Sequence, residues 1–327
     1  MKKFKDGGYG IAKPGLAHSL EGEEGIYKIP KMKKLTIIIT ALNEGQEPLN
    51  TIKSIHETCN PELYDIILFN DGSSEWVEIP KEYNVKVIHN HLRKGAPANY
   101  DLGVEMAQTR YVAIFNSRMR FPKDWFKNVF KVLENSKDTL FCTTSLFLDT
   151  NEKKTGKGYG AKINLKEKGT FLNPEFLKAQ KGNVYDVPCV LGANYFTSKK
   201  WYQRIRGFNG LYDYGGMCAF ISLKSWVMGG KCQIIKNVEI GNIYRDYKDK
   251  VAVKPYTDNM INFWYNKALT AFVLFDNKKA MELLDTIFDS AYYSLVTRAL
   301  LNKYDEIAKI RNRIKIVNNI NNYIKEN

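Results

Sequence analysis

The sequence predicts an α/β fold built on a mostly parallel sheet with helices on its faces. Short apolar runs rich in β-branched and aromatic residues, typical of strands buried on both faces, occur at 35–40, 64–69, 85–88 and 111–115. After the first run, Leu49, Ile52 and Ile55 recur with helical spacing. Strands that alternate with helices in this way favour a parallel sheet.

The rest of the chain divides into an arm, the second half of the domain and an extension. Residues 1–33 contain many glycines and lysines without periodicity, so we predict an irregular arm. We expect the α/β domain to span 34–255, with halves at 34–148 and 149–255. Beyond 256 the pattern is helical, which predicts a C-terminal extension over 256–327.

Within the second half, further strands and helices alternate around one unusual segment. Residues 151–182 carry eight lysines and five glycines, which predicts a mobile basic loop. Strands are expected at 140–148, 187–197, 231–235 and 238–244, and helices at 199–205 and 217–228. In the extension, apolar residues spaced three or four apart from Tyr304 to Ile324 predict one amphipathic helix.

Charge and cysteine usage limit the function classes. The 327 residues carry a formal net charge of +14, which favours anionic partners such as phosphosugars, nucleic acid or anionic polymers. The five cysteines are scattered without a C-x-x-C pair, which argues against a disulfide scaffold or zinc site and indicates a cytoplasmic protein. No apolar run predicts a signal peptide or a transmembrane span. All four histidines precede residue 92.

Polar residues follow three of the predicted strands. They lie at 40–44, 70–73 and 116–118. In open parallel sheets ligands bind outside the carboxyl ends of the strands, so these segments predict the binding site.

Read together, these segments resemble the family 2 glycosyltransferases of the GT-A fold. TIIITALNEG (36–45), ILFNDGSS (67–74), Arg93-Lys94-Gly95 with Gly103, and FNSRMRFPKDW (115–125) fall in the family's order. Downstream, 192–216 and 222–245 are similar to the corresponding region of polypeptide N-acetylgalactosaminyltransferases and related phage and bacterial sugar transferases. The resemblance covers roughly 34–250 and implies a GT-A domain whose first half binds a nucleotide-sugar, with a UDP-linked donor expected.

The resemblance implies a donor site around Asp71, whose equivalent in the family contacts the nucleoside. Asp71 could instead form an Asx-turn with Ser73, and Asn43-Glu44 could cap the following helix. The full set of expected donor-binding residues is Thr40, Ala41, Asn43, Glu44, Asp71, Arg93, Gly95, Asn116, Ser117 and Arg245.

The departures from the family concern its metal ligands. Where the family carries Asp-x-Asp or Asp-x-His, this sequence has Asn116-Ser117-Arg118, and Asn242 stands at the late histidine position. The family's acidic position falls on Met217 or Cys218. Because Mn²⁺ and Mg²⁺ prefer carboxylate and imidazole ligands, we expect no metal site and no tightly bound cofactor.

Three interpretations of Arg118 remain open. Its guanidinium could replace the metal by pairing with the diphosphate. The site could have decayed, leaving an inactive binding or partner subunit. Arg118 could also point to solvent. Asp213 is the candidate base for an inverting reaction, although a turn role before Gly-Gly explains it equally well.

The acceptor side is expected to involve Tyr214, Gly215, Gly216 and Trp226, with Arg118 and Asp213 as the catalytic pair. The basic loop could attract an anionic acceptor or polymer, which leaves a sugar transferase acting on nucleic acid as a further alternative. The C-terminal helix is expected to pack on the domain or on a partner protein. We therefore predict a metal-independent glycosyltransferase.

Overall fold

The computed structural model describes residues 33–165, 171–191, 194–244, 260–285 and 292–326, all within a compact unit of the chain at 32–327. The expected arm at 1–33, apart from its last residue, lies outside the described residues. So does Arg245.

Within the described ranges the strands and helices alternate in the first half of the chain. The strands are β1 Leu35–Ala41, β2 Tyr64–Asn70, β3 Val85–His89, β4 Tyr111–Asn116, β5 Met119–Arg120, β6 Thr139–Leu148, β7 Lys154–Gly158, β8 Ala161–Ile163, β9 Pro174–Phe176, β10 Val184–Asp186, β11 Asn194–Ser198 and β12 Lys231–Ile243. The helices are α1 Glu47–Thr58, α2 Ala96–Met106, α3 Trp125–Leu133, α4 Lys199–Arg204, α5 Met217–Val227, α6 Met260–Leu274, α7 Asn277–Asp285, α8 Tyr293–Asn302, α9 Tyr304–Asn312 and α10 Ile320–Glu326.

The described strands form one ten-stranded mixed sheet and a separate β8–β9 pair. The main order is β10-β12-β6-β11-β4-β1-β2-β3, with β5 on β12 and β7 on β6. β1 pairs in parallel with both β2 and β4, and Thr40 lies opposite Phe69 on one side and Asn116 on the other. This register brings the ends of the three strands to one edge. The predicted α/β fold with a mostly parallel sheet is confirmed.

The second half of the sheet is mixed because β11 runs antiparallel to both β4 and β6. The sequence predicted two strands at 231–235 and 238–244, but the structure has the single strand β12. A shift of register between Ile235 and Glu239 bends it against β6. The irregularity interrupts the alternation of apolar and polar residues, so the sequence pattern predicts two strands where the structure has one.

The segment 151–182, predicted as a mobile basic loop, contains β-structure. β7 pairs antiparallel with β6, and β8 pairs antiparallel with β9. In β8, Ala161 and Ile163 are buried while Lys162 between them is exposed. This alternation extends over only three residues, so the many lysines obscure it in the sequence.

Helices pack on both faces of the sheet. Ile52 of α1 and Trp125 of α3 lie in one buried cluster, and Val104 of α2, Phe220 of α5 and Leu269 of α6 lie in the other. None of the helices in the described ranges is long and apolar enough to span a membrane.

The predicted C-terminal helix is broken. Its stripe divides between α9 and α10, and the residues between them bond to the end of α5. The backbone N–H groups of Val317 and Asn318 donate to the Val227 carbonyl at 2.8 and 3.0 Å. The last carbonyls of a helix lack partners within it, so this docking satisfies a group that a continuous helix would leave unpaired.

Two lysines of the described residues, Lys224 and Lys267, are buried. Lys224 donates to the carbonyl of Arg206 at 3.2 Å, and burial lowers its pKa to about 7, against the opposing charge of Asp101. Lys267 lies over the rings of Phe263 and Trp264 at 4.5 and 4.6 Å, and its Nζ has no hydrogen-bond partner among the described residues. Burial lowers the pKa of Lys267 to about 8.

We predict that Lys267→Met stabilises the protein at neutral pH. The folded-state pKa of about 8 lies below the ordinary value of 10.5, so the folded state disfavours the protonated amine. This cost is fully present below about pH 8 and disappears as the pH rises toward 10.5. Urea denaturation at pH 7 should show a gain of about 1–3 kcal/mol that shrinks above pH 9.

Lys278→Met, on the exposed surface of α7, is the matched control and should change stability little at either pH. A Lys267→Met protein that is less stable than the wild type at pH 7 would show that the aromatic rings more than compensate for burial of the charge.

Candidate active site

A pocket opens where β1, β2 and β4 end together. It combines residues of these strand ends with the 93–100 segment and the loop before α5. The residues that line it are Thr40, Ala41, Leu42, Glu44, Asp71, Arg93, Gly95, Ala96, Tyr100, Asn116, Ser117, Arg118, Asp213, Tyr214 and Met217. Eight of the ten expected donor-binding residues and both expected catalytic residues are therefore together at one site.

Asp71 lies at the floor of the pocket and is 3% exposed. Its Oδ1 accepts hydrogen bonds from the backbone N–H of Lys94 at 2.8 Å and from Asn90 Nδ2 at 3.0 Å. Its Oδ2 accepts one from the Gly95 N–H at 2.9 Å. The carboxylate therefore holds the segment that carries Arg93 and Gly95 against the end of β2.

The Asx-turn that the sequence offers as an alternative role for Asp71 is made by the preceding residue, Asn70. The Ser73 N–H donates to Asn70 Oδ1 at 3.0 Å, so Asn70 makes the turn and Asp71 points into the pocket. The sequence does not show which of Asn70 and Asp71 makes the turn, because both side chains can accept the same hydrogen bond.

Asn43 does not line the pocket but supports its edge. Its Oδ1 accepts from the Ser74 N–H at 2.8 Å, and its own N–H donates to Ser73 Oγ at 2.9 Å. The interpretation of Asn43-Glu44 as a helix cap is wrong: α1 begins at Glu47, and its N-cap is Gln46. Glu44 turns into the pocket instead.

Arg118 lies in the pocket and does not point to solvent, and its partner is Glu44. The Arg118 Nε lies 3.5 Å from Glu44 Oε2, and the two side chains are 18% and 6% exposed. Thr51 of α1 holds the turn on which Arg118 lies, since its hydroxyl donates to the Ser117 carbonyl and accepts from the Met119 N–H, both at 2.8 Å. A guanidinium with its counter-ion thus occupies the end of β4.

The residues at the family's metal positions do not fit a divalent cation. Asn116 offers an amide oxygen and Arg118 a positive charge, while Asn242 is buried on β12 opposite Met119. Within the described residues no group of three or more histidine, cysteine, aspartate or glutamate side chains could hold a metal ion. Mn²⁺ and Mg²⁺ favour anionic oxygen ligands, and the guanidinium would repel them.

Asp213 closes the pocket from the second half of the domain. Its carboxylate pairs with the Arg93 guanidinium, and its carbonyl accepts from the Ala96 N–H at 3.0 Å. Burial raises the pKa of Asp213, while Arg93 and a hydrogen bond with Asn262 oppose that rise. Asp213 adopts a positive φ of 56°, as a turn residue would, so the turn role and the pocket role coexist.

Gly95 permits this close approach. Its φ is +87°, and a β-carbon there would lie 2.4 Å from the Asp213 α-carbon. No side chain fits that gap, so only glycine lets the 93–96 segment contact the 213 loop.

The residues expected on the acceptor side do not all lie at the pocket. Tyr214 lines the pocket and is half-exposed, and Gly216 is the N-cap of α5, whose first residue Met217 also lines the pocket. Trp226 lies near the other end of α5, where its ring meets that of Tyr323 at 5.4 Å. Trp226 follows Met217 by nine positions, about 13 Å along the helix, and does not line the pocket, so its assignment to the acceptor side stays a prediction.

A buried chain of side-chain hydrogen bonds within the site was not predicted from the sequence. Asn90 Nδ2 also donates to Asn99 Oδ1 at 2.9 Å, and Asn99 Nδ2 donates to Thr40 Oγ1 at 3.1 Å. Asn99 is fully buried on α2. A polar residue on the inward face of a helix is the one feature of the sequence that could have indicated this link.

Comparison with known proteins identifies relatives of the chain. The family model described as "Glycosyl transferase family 2" matches residues 36–206, more than half of the chain. Human polypeptide N-acetylgalactosaminyltransferase 10 is 25% identical over 232 residues, which are 65% of this chain and 38% of that protein. The putative polypeptide N-acetylgalactosaminyltransferase 13 of Drosophila melanogaster is 23% identical, over 90% of this chain and 56% of that protein. The chain thus spans roughly four to six tenths of the length of these curated relatives.

Two solved structures share the architecture. GalNAc-T7, crystallised with UDP, GalNAc and Mn²⁺, matches with a TM-score of 0.66 and 15% identity, over 83% of this chain and 54% of that one. S. aureus TarS 1–349 matches with a TM-score of 0.50 and 11% identity, over 79% of this chain and 72% of that one. The sheet with its flanking helices is therefore the GT-A fold. The family match over 36–206 also contains the strand ends that form the pocket, so this chain belongs to glycosyl transferase family 2.

Proposed function

We propose that this protein transfers a sugar from a UDP-linked donor and that Arg118 stabilises the leaving diphosphate without a divalent cation. The observation that carries the proposal is the position of Arg118, at the end of β4 within the pocket. GalNAc-T7, which shares the fold, binds UDP and Mn²⁺. Metal independence would be a departure from that relative.

Helix ends and guanidinium groups of the pocket would interact with the diphosphate of the donor. Ala96 and Met217, which line it, are the first residues of α2 and α5, each eleven residues long. The N-terminus of a helix carries partial positive charge, which favours phosphate, although the Ala96 N–H of α2 already donates to the Asp213 carbonyl. Together with Arg118 and Arg93, these groups would hold the diphosphate while the strand ends hold the nucleoside.

The leaving-group chemistry follows from this arrangement. The bond between the anomeric carbon and the diphosphate oxygen breaks, and the diphosphate takes the electron pair. Arg118, which Glu44 orients in the free pocket, would pair with the developing charge in the role that a metal fills elsewhere.

Deprotonation of the acceptor falls to Asp213 if the reaction inverts the anomeric centre. The acceptor oxygen forms the new bond to the anomeric carbon, and its proton passes to the Asp213 carboxylate. The raised pKa of Asp213 suits a base that must hold a proton after the transfer. A retaining reaction would leave Asp213 with the role of pairing with Arg93.

The first test of the function removes the guanidinium. Arg118→Ala should lower turnover by about 100-fold or more, the usual cost of losing one group that stabilises transition-state charge. Turnover of the wild type, measured as UDP release from UDP-sugars, should persist in EDTA. Arg120→Ala is the matched control, because Arg120 pairs with Glu47 and Glu152 and does not line the pocket.

Loss of turnover in EDTA and its recovery with Mn²⁺ would place the metal ligands elsewhere and refute this role of Arg118. Absence of transfer and of hydrolysis with every donor would instead favour an inactive binding subunit, an interpretation supported by Met217 and Cys218 at the family's acidic position.

Donor binding should depend on Asp71. Asp71→Ala frees the backbone N–H groups of Lys94 and Gly95 and so releases the segment beside the pocket. Calorimetry should show UDP affinity weakened by about 1–3 kcal/mol. Asp65→Ala, on β2 and paired with Lys33 outside the pocket, should leave affinity unchanged. Equal UDP affinity in a folded Asp71→Ala protein would exclude this role.

We further propose an anionic acceptor or polymer that the basic segment attracts. Lys153, Lys154, Lys178 and Lys181 are exposed there. Retention on a polyphosphate column should fall as salt rises from 0.1 to 1 M, where the Debye length shrinks from about 10 to about 3 Å. Replacing these four lysines by glutamine should reduce retention more than replacing the exposed Lys81, Lys86, Lys127 and Lys131. If both sets of substitutions reduce retention equally, the attraction depends on the net charge of the protein and not on the basic segment.

A further inference from the structure

The loop that carries Asp213 and Tyr214 rests on a side chain of the C-terminal extension. Asn266 of α6 is fully buried, and its Oδ1 accepts from the Tyr212 N–H at 2.8 Å. Its Nδ2 donates to the carbonyls of Tyr212, Tyr214 and Gly215 at 2.7, 3.2 and 3.0 Å. One amide group thus contacts the backbone of the loop at three of its residues.

Two further residues of α6 support the same loop. The side chain of Asn262 hydrogen-bonds to the Asp213 carboxylate. The ring of Phe263 packs against Gly215, where a β-carbon would lie 2.4 Å from Phe263 Cδ2. Phe263 and Asn262 precede Asn266 by three and four residues, so both lie beside Asn266 on the surface of the helix.

The loop needs an external restraint because Asp213, unlike its two glycines, has a backbone conformation that is unfavourable for a residue with a side chain. Asp213, Gly215 and Gly216 have φ values of 56°, 100° and 74°. A non-glycine residue at positive φ persists when surrounding contacts over-determine it. The bonds from Asn266 supply such contacts, and they leave Asp213 facing Arg93 and Tyr214 beside the pocket.

We propose that Asn266 is a positioning residue for the sugar transfer and that the C-terminal extension thereby forms part of the active site. The proposal rests on the proposed function, because it concerns the loop that holds the candidate base. Asn266 does not line the pocket, so it acts through Asp213 and Tyr214. Its hydrogen bonds to described residues join it to the 212–215 loop and to Thr270, and none joins it to the ends of β1, β2 and β4.

The test compares Asn266→Asp and Asn266→Ala with Thr270→Val. Aspartate keeps the size and the acceptor oxygens but cannot donate to three carbonyls. Thr270→Val is the matched control, because the Thr270 hydroxyl donates to the Asn266 carbonyl at 2.7 Å within the same helix and does not contact the loop. Hydrogen exchange of peptides that cover 210–217, UDP affinity by calorimetry and UDP release from UDP-sugars are measured on the full chain.

Both Asn266 variants should exchange the 210–217 amides about tenfold faster than the wild type, while UDP affinity stays within about threefold. Turnover should fall about tenfold to 100-fold, as expected when a reacting group is misplaced by about 1 Å. Thr270→Val should change neither the exchange of the loop nor the turnover. Asn266→Ala provides the same readouts if the aspartate variant does not fold.

Unchanged exchange of the loop in both folded variants would overturn the proposal, as would faster exchange with wild-type turnover. A parallel loss of UDP affinity would mean that Asn266 merely supports the whole domain, and would also overturn it. If the wild type neither transfers nor hydrolyses any donor, the proposed function fails, and with it the assignment of Asn266 as a positioning residue for transfer. The exchange data then report separately whether Asn266 holds the loop.

Discussion

The carboxylate of Asp71 is the interaction on which the pocket depends. It holds the N–H groups of Lys94 and Gly95, and the absence of a side chain at Gly95 lets the backbone of the 93–96 segment approach Asp213. Contacts therefore run from the end of β2 through Gly95 to the loop at 213 and on to α6. A buried carboxylate that accepts several backbone bonds is costly to disturb, since each released group would lose its partner in a desolvated place.

The second constraint is electrostatic. A site that binds a diphosphate needs positive charge, and a divalent cation or fixed guanidinium groups can supply it. Here Arg118 lies in the pocket, and the carboxylate of Glu44 balances its charge. The pairing of Arg93 with Asp213 repeats this arrangement on the other side of the pocket.

Much of the site was predictable from its strand ends. Thr40, Asp71, Asn116 and Arg118 each follow a short buried run, and parallel strands bring such ends together whatever the loops do. The prediction was weaker where position depends on distance along a helix. Trp226 lies in the same helix as Met217 but about 13 Å away from it, a separation that motif matching does not consider.

The sequence by itself determined the order of strands and helices in the first half of the domain, the edge of the sheet at which the pocket lies and the residue types at 116, 118 and 242. These properties follow from hydrophobic period and from residue type at strand ends, which are local. Only the tertiary structure decided that Glu44 faces Arg118, that Gly95 meets Asp213 and that Asn266 holds the 212–216 loop. Each of these contacts joins segments far apart in the chain, and a hydrogen bond or an ion pair depends on a separation that no local pattern records.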